Sequence, residues 1–150
     1  MFAQPVSLLR RFFRTLLASN APEQLAAGFT IGMVIGLVPK GNVIALSLCV
    51  LLFSVRCNKG LGLLTAIAFS FLGPLTDHFA HRVGLFVLGI KPLQATYAGV
   101  FNLPFGPWLG FNNTVVAGCL LIGVYVAYPV YWIVKQMFAL TLGSPKERSI

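Results

Sequence analysis

One long stretch without charged residues constrains the fold more than any other feature of the sequence. Residues 112–134 are 23 consecutive uncharged positions, and Lys135 ends them. About 20 apolar residues in a helix are enough to cross the hydrocarbon core of a bilayer. Tyr and Trp side chains crowd the second half of the stretch, as they do near a membrane surface. The pattern predicts one long C-terminal transmembrane helix over residues 112–140.

The composition assigns the rest of the chain to the same class. Charged residues make up 9% of the 150 positions and hydrophobic residues 57%, whereas soluble domains carry about 25% charged residues. This excludes an ordinary soluble enzyme, a disordered tail and a coiled coil. The net charge of +8 comes from basic residues that separate apolar runs, which argues against a nucleic-acid surface. We expect a single all-α integral membrane domain over residues 1–150.

Residues 1–19 predict an amphipathic helix that lies in the membrane interface. Leu and Phe side chains form one stripe, and Arg10, Arg11 and Arg14 lie on the opposite face. A basic face opposite an apolar face suits the headgroup boundary, where each arginine contributes about 1 kcal/mol on an anionic leaflet. We therefore count the three arginines as headgroup contacts. The alternative is a helix packed on the body of the protein.

Residues 20–59 predict a helical hairpin. The first helix starts near Asn20, with Pro22 in its first turn and Glu23 placed to close a capping box. Both apolar runs of the hairpin, 25–39 and 43–55, are shorter than a full span. Either both helices cross the membrane or the hairpin is re-entrant, and the sequence leaves both interpretations open.

The turn of this hairpin is a candidate headgroup site. Lys40 brings a full charge, and Asn42 precedes the free N–H groups that begin the next helix. Such a helix start favours an anion or a lipid headgroup. The alternative is a plain exposed loop.

Residues 60–111 predict broken helices followed by an aromatic loop. The third apolar run is interrupted at positions 73–74 by Gly-Pro. Residues 92–111 combine prolines and glycines with several aromatic residues. Aromatic residues in such a segment are typical of the membrane interface. The polar tail is expected over residues 141–150.

A polar cluster follows the Gly-Pro break and is the only cluster of residues of catalytic type in the sequence. Histidines at positions 78 and 81 have the i, i+3 spacing of metal ligands, with Asp77 as a third ligand. A second interpretation gives His81 and Arg82 to a lipid phosphate. A third makes the cluster a polar helix cap, which is the interpretation we favour, so neither a catalytic residue nor a metal is expected. Asp77 is also the sole candidate for an intramembrane acid that couples transport.

Three glycines at i, i+4 and i+8, namely Gly28, Gly32 and Gly36, form a flat helix face that another helix can approach closely. This face serves either a partner protein or packing inside the chain. Gly118 and Gly123 mark a similar helix near the C-terminus.

The two glycine helices share an internal similarity. An Ala-Gly pair precedes a proline by eleven residues at positions 28 and 39 and again at 118 and 129. Because the two copies would run in opposite directions, they suggest an inverted repeat of the kind found in transporters. The alternative is chance, since Ala, Gly and Pro are common in membrane helices.

The basic residues indicate the orientation. Most of them can share the cytoplasmic side, including Arg56, Lys59 and Lys135, which is the rule for inner-membrane proteins. This predicts a multi-pass protein with both termini in the cytoplasm. Lys40, Arg82 and Lys91 are the exceptions.

Three short motifs resemble a known family. They are Gly32-x-x-x-Gly36-x-x-Pro39-x-Gly41, then Arg56-x-Asn58, then Pro74-Leu75-Thr76. Together they are similar to bacterial small membrane proteins of domain of unknown function 2062, over about residues 20–140. Family members usually have Asn before that last proline, where this chain has Gly73. The resemblance implies a bacterial inner-membrane protein and brings no biochemical activity with it, although some relatives look like neighbours of large envelope proteins.

These features lead us to expect a non-enzymatic inner-membrane subunit that anchors a larger envelope protein and handles phospholipid in intermembrane lipid transport. It would need no cofactor beyond bound phospholipid. The first alternative is a small homo-oligomeric transporter or channel in which Asp77 couples or selects. The second is a lipid-modifying membrane enzyme that uses His78 and His81.

Overall fold

The computed structural model describes residues 21–110 and 112–142, which contain helices and no strand. Five α-helices and one 3₁₀ helix, Gly106–Leu109, follow one another. The α-helices are α1 Pro22–Leu37, α2 Val43–Ser54, α3 Lys59–Leu88, α4 Lys91–Phe101 and α5 Thr114–Leu142. The all-α class is confirmed. The predicted interfacial helix at 1–19 lies outside the described residues.

The first helix begins and ends where the sequence signals predict. Ala21 is its N-cap and Pro22 its first residue. The side-chain oxygen of Gln24 accepts a hydrogen bond of 3.4 Å from the N–H of Ala21. Gln24 therefore closes the capping box that the sequence assigns to Glu23, because Gln24 occupies the third position after the N-cap.

Two asparagines start the next two helices. The Asn42 side chain accepts a hydrogen bond of 2.8 Å from the N–H of Ala45 at the start of α2. The Asn58 side chain does the same for Leu61 at the start of α3, also at 2.8 Å. The N–H of Asn58 donates to the carbonyl oxygen of Gln24 at 3.0 Å. This bond places the starts of α1 and α3 side by side.

Where the sequence predicts a break at residues 73–74, α3 continues as one helix of 30 residues. Pro74 removes a single N–H, the one that would bond the carbonyl of Ser70. The hydroxyl of Ser70 donates to the carbonyl oxygen of Ala66 at 2.6 Å, and that of Thr76 donates to the carbonyl oxygen of Gly73 at 2.9 Å. Such side-chain bonds and close packing let membrane helices contain proline without ending.

Helices α1, α3 and α5 pack against one another and form the centre of the fold. The glycines at 28, 32 and 36 contact α3 at Asn58, Gly62 and Ala66 in turn, so α1 and α3 run in parallel. Residue 118 of α5 contacts residue 80 of α3, whereas residue 114 contacts residue 84. Helix α5 therefore runs antiparallel to the other two, and α2 returns the chain between α1 and α3.

The bundle has two distinct ends. At one end, which we call the basic end, Lys135 forms an ion pair of 3.2 Å with Glu23. At the other, the turn end, Val38 packs in one buried cluster with Ala80 and Cys119. The hairpin α1–α2 therefore extends along most of the α3–α5 pair.

Large apolar side chains cover the outside of the bundle. Most of the exposed ones lie on α2, α3 and α5 and include Val50, Phe71 and Tyr125. By length and composition, α3 and α5 can each cross a membrane. Helix α4 has no buried residue.

Candidate functional site

Lys40 at the turn end bonds the backbone of its own hairpin. Its Nζ atom donates to the carbonyl oxygens of Ile35, Gly36 and Val38 at 2.8, 2.9 and 2.9 Å. The carbonyls in the last turn of a helix have no partner within the helix, and an ammonium group has three N–H donors. Lys40 therefore caps α1 with its whole donor set. Partial burial lowers the pKa of Lys40 below its ordinary value.

Asn42 closes the same turn from the other side. Its Nδ2 donates to the carbonyl oxygen of Pro39 at 2.8 Å, while its Oδ1 caps α2. Gly41 between Lys40 and Asn42 has φ of +91°, a conformation that glycine adopts without strain. Lys40 and Asn42, the two predicted headgroup residues of the turn, thus both bond the backbone and stabilise the hairpin.

A cavity of about 280 Å³ lies between the end of α1 and the middle of α3. Lys40 and the half-buried Asp77 are its two charged residues, and Ser70 and Pro74 line the α3 side. The carbonyl oxygens of residues 36 and 37 both lie 3.8 Å from the position that a Cβ atom on Gly73 would take. The end of α1 therefore places two carbonyl oxygens beside Gly73, in a lining that is otherwise mostly apolar.

Asp77 makes no hydrogen bond and no ion pair with any residue in the described ranges, and Arg82 is not its partner there. The sequence interpretation as a polar cap is thus replaced by a carboxylate at the edge of a cavity.

His81 joins α3 to α5. Its Nδ1 is hydrogen-bonded to the hydroxyl of Thr114 in the first turn of α5. His78 and Arg82 are exposed. Among residues 21–110 and 112–142, no group of three His, Cys, Asp or Glu side chains is placed to hold a metal ion.

A larger, apolar groove of about 510 Å³ lies between α3 and α5 near the turn end. The α3 wall consists of residues at i, i+4 and i+8, and the α5 wall faces it. The lining side chains are Phe79, Val83, Val87, Leu121, Ile122, Tyr125 and Val126. Arg82 follows Phe79 by three residues, so the two side chains are neighbours on the helix surface. We call this feature the α3–α5 groove.

All five candidate interface glycines are buried inside the chain. The three of α1 face α3, Gly118 faces Ala80, and a Cβ atom added to Gly123 would lie 3.0 Å from Cγ1 of Val34. Internal packing, the alternative to a partner surface, accounts for every one of them. Arg10, Arg11 and Arg14 lie outside the described residues.

Sequence reasoning missed the α3–α5 groove and the bond between His81 and Thr114. The apolar spacing of Phe79, Val83 and Val87 was a signal for the groove. The predicted break at 73–74 obscured this signal, because it separated these three residues from the rest of α3. Nothing in the sequence pairs positions 81 and 114, which come together only through the antiparallel packing of α5 on α3.

Comparisons with known proteins agree with the motifs. A family model described as "Uncharacterized protein conserved in bacteria (DUF2062)" matches residues 7–144. An uncharacterized protein of Treponema pallidum (strain Nichols) is 30% identical over 126 residues, which cover 84% of this chain and 78% of that protein. No solved structure matches the chain. The predicted resemblance is confirmed, and the chain belongs to the bacterial DUF2062 family.

Proposed function

We propose that this chain is a non-enzymatic subunit of the bacterial inner membrane that binds phospholipid from the side and anchors a larger envelope protein. The membrane setting is supported by α3 and α5, which are long and apolar enough to cross. It is also supported by large apolar side chains that are exposed over the length of the bundle, such as Phe71 at 79% and Leu140 at 86% exposed. A water-soluble protein rarely exposes such continuous apolar surface.

The α3–α5 groove is the observation that carries the lipid part of the proposal. Its walls are almost entirely apolar, and it opens to the outside of the bundle, where acyl chains surround a membrane protein. Arg82 stands beside Phe79 and supplies a positive charge within reach of a lipid phosphate. An apolar trough beside one guanidinium group suits a phospholipid better than a water-soluble substrate.

The anchoring part of the proposal uses another surface than the sequence suggested, because the glycine faces are occupied inside the chain. An exposed aromatic ridge on α5, formed by Tyr125, Tyr128 and Trp132, is the surface that we assign to it. Tyr and Trp are enriched where proteins associate. A stoichiometric envelope protein that co-purifies with the wild type, and is lost with Tyr128→Ala, would support this part; no such protein in the wild-type preparation would end it.

Filling the groove tests the lipid part directly. Val83→Trp adds a large side chain to the groove wall, whereas Leu85→Trp adds the same side chain at an exposed position of α3 that does not line the groove. Phospholipid retained per chain is counted by mass spectrometry after purification from native membranes in mild detergent. We expect Val83→Trp to retain less phospholipid than the wild type and Leu85→Trp to retain as much. Equal retention by both variants and the wild type would exclude the groove as the lipid site.

A further inference from the structure

We infer that the cavity between α1 and α3 binds a zwitterionic group with a primary ammonium and a phosphate, as in an ethanolamine phospholipid headgroup. This cavity is separate from the α3–α5 groove, and it shares with the proposed function only the membrane setting. In the proposed complex, the Asp77 carboxylate accepts N–H bonds from the ammonium group, and the phosphate lies toward the positive charge of Lys40.

The charges of the cavity favour a zwitterion. One positive and one negative side chain line it, Lys40 and Asp77. A simple cation would be repelled by Lys40, and a simple anion would be repelled by Asp77. A headgroup with one charge of each sign matches both residues at once.

The hydrogen-bonding groups of the cavity call for a ligand that donates. The three N–H donors of Lys40 are directed to carbonyl oxygens of its own hairpin, and Pro74 has no N–H to offer. The acceptors left for a ligand are the Asp77 carboxylate and the carbonyl oxygen of Leu37, because the neighbouring carbonyl oxygen of Gly36 already accepts a bond from Lys40. A primary ammonium group has three N–H donors, whereas a quaternary ammonium group has none. The cavity therefore distinguishes ethanolamine from choline.

The surface next to the cavity leaves room for acyl chains. Leu63, Ile67 and Phe71 of α3 lie at helical spacing from the basic end toward Pro74 and are 43%, 60% and 79% exposed. A headgroup in the cavity at the turn end would place its chains along this strip, toward the middle of the bundle. The strip explains why a lipid, rather than the free headgroup alone, is the expected source of the ligand.

Thermal unfolding in detergent tests the inference, because a ligand that binds the folded state raises Tm. The probes are phosphatidylethanolamine, phosphatidylcholine and phosphatidylglycerol with identical acyl chains, and glycerophosphoethanolamine as the headgroup without chains. For the wild type, we expect phosphatidylethanolamine to raise Tm by roughly 2–4 °C more than the other two lipids. If glycerophosphoethanolamine has the same effect, the cavity chemistry stands and the ligand is a soluble phosphoester. Equal shifts with all three lipids would overturn the inference.

Three variants locate the effect. Asp77→Asn removes the carboxylate charge, and Gly73→Leu fills the cavity from a position where the neighbouring atoms leave space for a Cβ. In both variants, phosphatidylethanolamine should raise Tm no more than the other two lipids do. Lys91→Gln removes an exposed charge in α4 that lies outside both the cavity and the groove, so this variant should keep the larger Tm rise with phosphatidylethanolamine. If phosphatidylethanolamine still raised Tm more than the other lipids in both Asp77→Asn and Gly73→Leu, the site would be refuted.

The two lipid sites are separable in these experiments. Val83→Trp should lower retained phospholipid without changing the preference for phosphatidylethanolamine, because residue 83 does not line the cavity. Asp77→Asn should remove the preference and lower retained phosphatidylethanolamine, while the other phospholipids are retained as in the wild type. If the expected result for one of the two sites is not observed, the proposal for the other site is unaffected.

Discussion

Gly118 of α5 lies against the carbonyl oxygen of Ala80 in α3 so closely that a Cβ atom at position 118 would overlap it. Gly84 meets the carbonyl oxygen of Thr114 in the same way. Both contacts are between backbones, so no side chain can turn aside to relieve them. The antiparallel packing of α3 and α5 thus depends on the absence of two methyl groups.

Gly118→Ala should destabilise the protein by about 1–3 kcal/mol, because the overlap forces the two helices apart. Gly99→Ala in α4 is the matched control, since nothing lies within 4 Å of its Cβ position. The control should be neutral or up to about 1 kcal/mol more stable, because Ala favours helix over Gly. Thermal unfolding in detergent measures both, and equal Tm values for the two variants would contradict the close packing of α3 and α5.

Lys40→Met should destabilise the α1–α2 hairpin by about 1 kcal/mol, because the carbonyls of Ile35 and Gly36 lose their donor. Lys91→Met provides the control, since Lys91 is an exposed residue in the first turn of α4 and caps no helix end. Amide hydrogen exchange should show faster exchange in the last turn of α1 for Lys40→Met alone. Unchanged exchange there would mean that the three hydrogen bonds of Lys40 do not hold the turn.

The ion pair between Glu23 and Lys135 gives the stability a weak dependence on acid pH. A bond from its own backbone N–H, and then the bond from Lys135, lower the pKa of the Glu23 carboxyl. A lowered pKa in the folded state contributes stability above the ordinary glutamate pKa of about 4.3. That stability is lost as the pH falls through the folded value. Because both side chains are partly exposed, at 36% and 52%, the contribution is at most about 1 kcal/mol.

Glu23→Gln should therefore lower Tm slightly at neutral pH, and its difference from the wild type should shrink as the pH falls below the ordinary glutamate pKa of about 4.3. A Tm difference between the two proteins that persists unchanged at low pH would show that the carboxylate charge is not responsible. Lys135→Met should give the same pattern as Glu23→Gln, since it removes the other half of the pair.

The helices of this fold are predictable from sequence to the extent that local signals decide them. Pro22 and the turn after Val38 mark α1 closely, and Asn42 and Asn58 begin the next two helices. Position 74 was misjudged because proline interrupts an isolated helix, whereas packing of α3 on α1 keeps this one continuous. The role of Lys40 was also out of reach, since sequence spacing does not show that its stem folds back onto α1. The cavity at Asp77 required the tertiary structure, because one wall comes from residues 36–40 and the other from residues 70–77.

The structure also bears on whether the α1–α2 hairpin crosses the membrane. Helix α1 has 16 residues and is therefore about 24 Å long, compared with a hydrocarbon core of about 30 Å. It begins beside Lys135 and ends beside Val38, which packs with Val116 in the first turn of α5. The hairpin thus extends nearly as far as the uncharged part of α5, so we predict that α1 and α2 both cross.

Cysteine labelling measures the crossing. In a background without the three native cysteines, Lys40→Cys and Asn112→Cys should react with a membrane-impermeant maleimide from the periplasmic side of intact cells. Lys135→Cys should react only in inverted membrane vesicles, because the positive-inside rule predicts that the basic end faces the cytoplasm. A re-entrant hairpin makes the opposite prediction for one site: Lys40→Cys would then be protected in intact cells while Asn112→Cys still reacts. Reaction of both positions 40 and 112 from the periplasmic side would establish four crossings, with α1 and α3 running outward and α2 and α5 running inward.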